Sequence, residues 1–199
     1  MATTLPARIQ AQLTGYYGID DAPGVDAFIE PADGAREALL VQEMEGELHV
    51  ALRLPRAALD DRRPPTFDEL CQVVEGVSHF LYLSERARRE LPATQLELEL
   101  QAEVDKYVLF AHGSSAPRAF HPARAERLRA RLFERVRYLD PPHTETGARY
   151  RIANDLAARF ARWLEASFAR HGRFEQMRSA LRRFYGAGQT EKIGLAQAA

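Results

Sequence analysis

The sequence predicts an α+β protein: a small three-stranded antiparallel sheet near the N-terminus, followed by a helical bundle of about five helices. Three observations predict it. Short β-rich runs (VDAFIE, EALLVQE, ELHVALRL) all lie before residue 55, two capping-box patterns open long amphipathic stretches after them, and Pro- and Gly-containing clusters punctuate the remainder.

In chain order, Ile9 and Leu13 share one face of a short helix expected around Pro6 to Leu13. VDAFIE (Val25 to Glu30) is bounded by PG and PADG, and the next two runs flank Met44, Glu45 and Gly46, the pattern of an antiparallel hairpin. Leu48, Val50, Leu52 and Leu54 alternate with His49, Ala51 and Arg53, so the sheet has a buried and a wet side. Three strands need a cover. It is expected after the breaker DDRRPP (Asp60 to Pro65), which places an N-terminal α/β segment at 1–62, a helical bundle at 66–188 and a frayed tail at 189–199, with one continuous domain as the alternative.

Thr66 with Glu69 opens a helix running toward Leu91, whose apolar face carries Leu70, Val73, Val74, Val77, Phe80 and Leu81. Thr94 with Glu97 opens the next, over Gln95 to His112, with Gly113 beyond its end. Its alternating QLELEL start imitates a strand. As a helix, however, it sets Leu96, Leu100, Val104, Tyr107 and Val108 on one side and Leu98, Ala102 and Leu109 on the other. A helix apolar on two opposed sides is central, packed between layers. Helical spacing recurs from Pro122 through Leu128, Leu132, Val136 and Leu139, again from Ala148 to His171 with Gly172 at its end, and again near Phe174 to Tyr185.

The 199 residues suit one domain or two small ones and bury enough apolar surface to need no staple. The single Cys71 excludes an internal disulfide and multi-cysteine zinc motifs, and MATTLPARIQAQL holds no apolar run, so a soluble cytoplasmic protein is expected. The net charge of −1 conceals a strong asymmetry. Residues 1–117 hold 10 basic against 20 acidic side chains, and residues 118–199 hold 17 against 8. Nearly all the basic residues are arginine, with Lys106 and Lys192 the exceptions.

Catalytic motifs are absent. There is no His-Glu-x-x-His and no Gly-rich phosphate loop, GVSHF lacks the last glycine of a nucleophile elbow, and GAGQTE follows a helix where a dinucleotide fingerprint needs a strand. Glu99 and Glu103 lie one turn apart and are candidate metal ligands, with Glu75 and His79 on a partner helix. Glu75 and His79 nevertheless project with Asp68, Tyr82 and Arg86 opposite the apolar face, which reads as a solvated polar side. No metal, cofactor or catalytic residue is therefore assigned. His112, His121 and His143 fall near loops from distant positions, and Cys71 has no base beside it.

The basic half carries the functional expectation. Arg124, Arg127, Arg131 and Arg135 fall on one helical stripe, Arg151, Arg159 and Arg162 follow on the next helix, and their mutual repulsion becomes affinity beside an anionic partner. The expected role is a non-catalytic interaction module that engages an acidic protein surface or a second copy of itself. One alternative is a nucleic-acid-binding protein using the same surface. Another is a metal-dependent hydrolase with acidic ligands on the central helix.

Overall fold

Thr4 accepts a hydrogen bond from the amide of Ala7 and starts the first helix, α1 (Leu5–Tyr17), which Gly18 closes with a left-handed φ of 69°. The computed structural model describes residues 3–34, 36–44, 47–113 and 120–199. After α1 come strands β1 (Ile29–Ala32), β2 (Ala38–Met44) and β3 (Glu47–Pro55), then helices α2 (Phe67–Arg88), α3 (Gln95–His112), α4 (Pro122–Arg129), α5 (Glu145–Ser167), α6 (Phe174–Gly186) and α7 (Gln189–Gln197). The α+β architecture with a helical bundle is as the sequence predicts, and no described helix is long and apolar enough to cross a membrane.

The sheet departs from expectation in two respects, the first being that Val25–Phe28 forms a 3-10 helix, so the first strand begins only at Ile29. β2 and β3 form the antiparallel hairpin, with Val41 opposite Val50, but β1 pairs with β3 in parallel, Ile29 opposite Leu52, giving the order β1-β3-β2. β1 ends and β2 begins at the same end of β3 but on its opposite edges, about 10 Å apart at ordinary strand spacing, a gap that a handful of residues can span. The Glu45–Gly46 connection of the hairpin lies outside the described residues.

Leu52 and Leu54 are fully buried against α2. Gly76 makes that approach possible, because a Cβ there would stand 2.9 Å from a methyl of each leucine. Both expected capping boxes form, Thr66 with Glu69 and Thr94 with Glu97. α3 touches α2 on one side and α5 on the other, which is why its apolar residues occupy two opposed faces.

Two further expectations are corrected. The helix from Pro122 does not run to Leu139: α4 ends at Arg129 and a π turn occupies Ala130–Glu134, leaving Val136 and Leu139 exposed. Residues 189–197 are a helix, not a frayed tail. Lys192 and Ala196 of α7 are wholly buried, and α7 packs against α5 and α3.

Candidate functional site

The arginine stripe is partly realised. Arg124, Arg127 and Arg131 are exposed and line a groove of about 450 Å³ with Phe67, Leu109, Phe110 and Leu128. The Arg131 guanidinium lies over the Phe67 ring, 3.7 Å from its centre. None of the three arginines has an acidic partner among the described residues. Arg135 does not join them. The π turn inserts a wider step just before it, so it leaves the stripe, exposed at the turn's end.

The α5 arginines go elsewhere. Arg151 donates to the carbonyls of Asp140 (3.1 Å) and Gly147 (2.7 Å) and lies over the Tyr138 ring, so it fastens a loop rather than facing a partner. Arg159 pairs with Asp155 at 3.0 Å, and Arg162 is exposed, away from the groove. Glu165 accepts from Arg129 at 2.8 Å and from the Tyr107 hydroxyl at 2.7 Å, tying α3, α4 and α5 together.

A second constellation, which the helical projection placed in solvent, is buried. α2 is covered by the sheet on one side and by α3 on the other, so its polar side also meets protein. Glu75 and His79 of α2 face Glu99 of α3, and one donor atom from each lies within 4.8 Å of the others. The amide of Glu37 donates to Gln72 Oε1 at 2.8 Å, which anchors the 33–37 link on α2 and sets the Glu37 carboxylate 3.6 Å from His79 Nδ1. His79 Nε2 stands 3.8 Å from Glu99 Oε2, beyond hydrogen-bonding reach, and has no partner.

Cations complete the cluster. Lys106 donates to Glu75 Oε2 (3.0 Å) and Glu103 Oε1 (2.9 Å), and Arg149 approaches Glu99 at 4.0 Å. A cleft of about 120 Å³, lined by Arg36, Glu75, Glu103, Lys106, Tyr138 and Tyr150 among others, reaches the Glu75 side. Burial works against a charged His79, but the carboxylates of Glu37, Glu75 and Glu99 outweigh it and raise its pKa to about 9. Burial pushes Glu99 up to about 7, with Glu75 adding and His79 opposing. Glu75 is held below the usual range, since Lys106 and His79 overcome its burial.

A neighbouring network is structural in character. Asp105 accepts from Ser78 (2.6 Å), from Gln101 (2.8 Å) and from Tyr17. Burial raises the Asp105 pKa to about 6 against those hydrogen bonds. Burial likewise pushes the Cys71 thiol up to about 12, so it is no nucleophile at neutral pH. His112 is buried while His121 and His143 are exposed, and the three do not converge on one site among the described residues.

No known protein family matches the chain, and no curated protein and no solved structure is similar to it.

Proposed function

We propose that this chain is a non-catalytic interaction module whose α4 face engages an acidic segment of a partner protein. One observation carries the reading: Arg124, Arg127 and Arg131 stand exposed, without acidic partners among the described residues, around an apolar floor of Phe67, Leu109, Phe110 and Leu128. Arg127 and Arg131 lie one turn apart, a like-charge pair that costs an isolated helix about 0.2–0.5 kcal/mol. Carboxylates reverse that sign, because a guanidinium binds them bidentately. The aromatic floor favours a partner that also carries an apolar side chain, which a bare phosphate backbone lacks. We place the module in the cytoplasm, in keeping with its single free thiol.

The test is fluorescence anisotropy with three labelled probes: a peptide alternating glutamate and leucine, an all-glutamate peptide of equal length, and a single-stranded RNA. The mixed peptide should bind best and lose affinity at least tenfold in the Arg127→Glu, Arg131→Glu double variant, whose circular dichroism should be unchanged. Equal binding by wild type and variant overturns the reading. Tight RNA binding with a steep salt dependence transfers the face to nucleic acid. A homodimer that dissociates on the same charge reversal transfers it to a second copy of the chain.

A further inference from the structure

We propose that Glu75, His79 and Glu99 form a binding site for one divalent first-row metal ion, with Glu37 orienting the imidazole. The donor geometry comes first. Glu75 and His79 lie one turn apart on α2, Glu99 faces them from α3, and a donor atom from each falls within 4.8 Å of the other two. Metal–ligand bonds of about 2.0–2.2 Å require donors roughly 3.0–3.6 Å apart. The 3.8 Å between His79 Nε2 and Glu99 Oε2 is therefore only slightly too wide, and small side-chain rotations close it.

Acidic clusters are common without any ion, so the second observation decides. His79 is 6% exposed, yet its Nε2 has no hydrogen-bond partner and points toward Glu99. A buried ring nitrogen left unpaired carries a desolvation cost that folding does not recover. A metal ion recovers it. On the other side of the ring, Nδ1 faces Glu37 Oε1 at 3.6 Å, so a small approach would form the carboxylate–histidine hydrogen bond that leaves the lone pair of a ligating imidazole on Nε2. Glu37 Oε2 is unpaired as well.

Charge points the same way. Glu37, Glu75, Glu99 and Glu103 surround the His79 imidazole, and Lys106 and Arg149 are the cations in contact with them. Four carboxylates against two cations make an electronegative setting that favours a cation at the ring, which a metal ion supplies on releasing the imidazole proton. Lys106 occupies Glu75 Oε2 but leaves Oε1 free to ligate. A set of one imidazole and two carboxylates suits Zn²⁺ or Mn²⁺ better than soft-ligand ions. Three protein donors leave a position for water, as hydrolytic metal centres do, and the cleft that reaches Glu75 is the path for water to it.

The experiment uses the full chain, stripped with chelator and titrated calorimetrically with Zn²⁺ and, separately, Mn²⁺. The site predicts one ion per chain and at least a tenfold loss of affinity in both His79→Gln and Glu99→Gln. A readout on the wild-type protein does not depend on how the variants fold. In long-range ¹H–¹⁵N spectra Zn²⁺ should displace the ring resonances of one of the six histidines, and that one should be His79. Absence of stoichiometric binding, affinity unchanged from wild type in either variant, or displacement of a different histidine would each overturn the proposal. It stands or falls independently of the arginine face.

Discussion

The ammonium of Lys192 in α7 donates a 2.8 Å hydrogen bond to Gln101 Oε1 in α3, across 91 residues of sequence and with no exposure to solvent. It also donates to the Phe184 carbonyl at 2.7 Å and lies over the rings of Tyr82 and Phe184. Gln101 passes the connection to Asp105, so the last helix is tied to the buried polar network between α1, α2 and α3. Lys192→Met keeps the stem but removes the donor from three buried acceptors, Gln101 Oε1 and the Phe184 and Tyr185 carbonyls, and should cost about 2–4 kcal/mol. Deleting residues 189–199 should cost more. Urea denaturation of both variants measures the difference, and an unchanged midpoint for the deletion would show that α7 contributes nothing.

His112 gives the protein an acid limb. It lies edge-on to the Tyr107 and Phe174 rings, its Nε2 has no partner, and burial alone pushes its pKa down to about 4 from the usual 6.5. Between pH 6.5 and 4 the unfolded chain therefore binds a proton that the folded chain refuses, so stability falls as pH falls through that window. The full loss is about 3 kcal/mol. His112→Phe removes this contribution, and the gap between its unfolding free energies at pH 7 and pH 4.5 should be smaller than in wild type.

Gly147 cannot be replaced cheaply. A Cβ at this position would stand 2.0 Å from the Pro141 carbonyl oxygen, which is backbone and cannot swing aside. Helix propensity favours alanine by about 1 kcal/mol. The clash should still win, at about 3 kcal/mol net destabilisation or more. Because Asp140 and Gly147 both line the cleft beside Glu75, Gly147→Ala should also alter metal binding if the ion enters there.

The Arg129–Glu165–Tyr107 junction offers a coupling test. Glu165 is 2% exposed and accepts from both neighbours, so removing Arg129 leaves a buried carboxylate short of its charge partner. Arg129→Met should cost about 3 kcal/mol, and Arg129→Met with Glu165→Gln together should cost less than the sum of the two single changes. Simple additivity would mean that the pair is not coupled.

What the sequence determined is what depends on near neighbours along the chain. Thr66 with Glu69 and Thr94 with Glu97 each close a capping box within three residues, so both helix starts were readable. The two-sided apolar pattern of 95–112 likewise announced a central helix, since it records neighbours on both faces. The charge asymmetry pointed to Arg124, Arg127 and Arg131, which the structure does expose together.

Tertiary structure alone decided the rest, because burial of a polar face depends on what else packs there. Periodicity set Glu75 and His79 opposite the apolar stripe of α2, but it could not announce that α3 and the Glu37 link would cover that side too. The π turn after Arg129 took Arg135 out of register without any proline or glycine to signal it. Lys192 reads as a tail residue by composition, and only the acceptors and aromatic faces waiting for it in α3 and α6, far away in sequence, make its burial favourable.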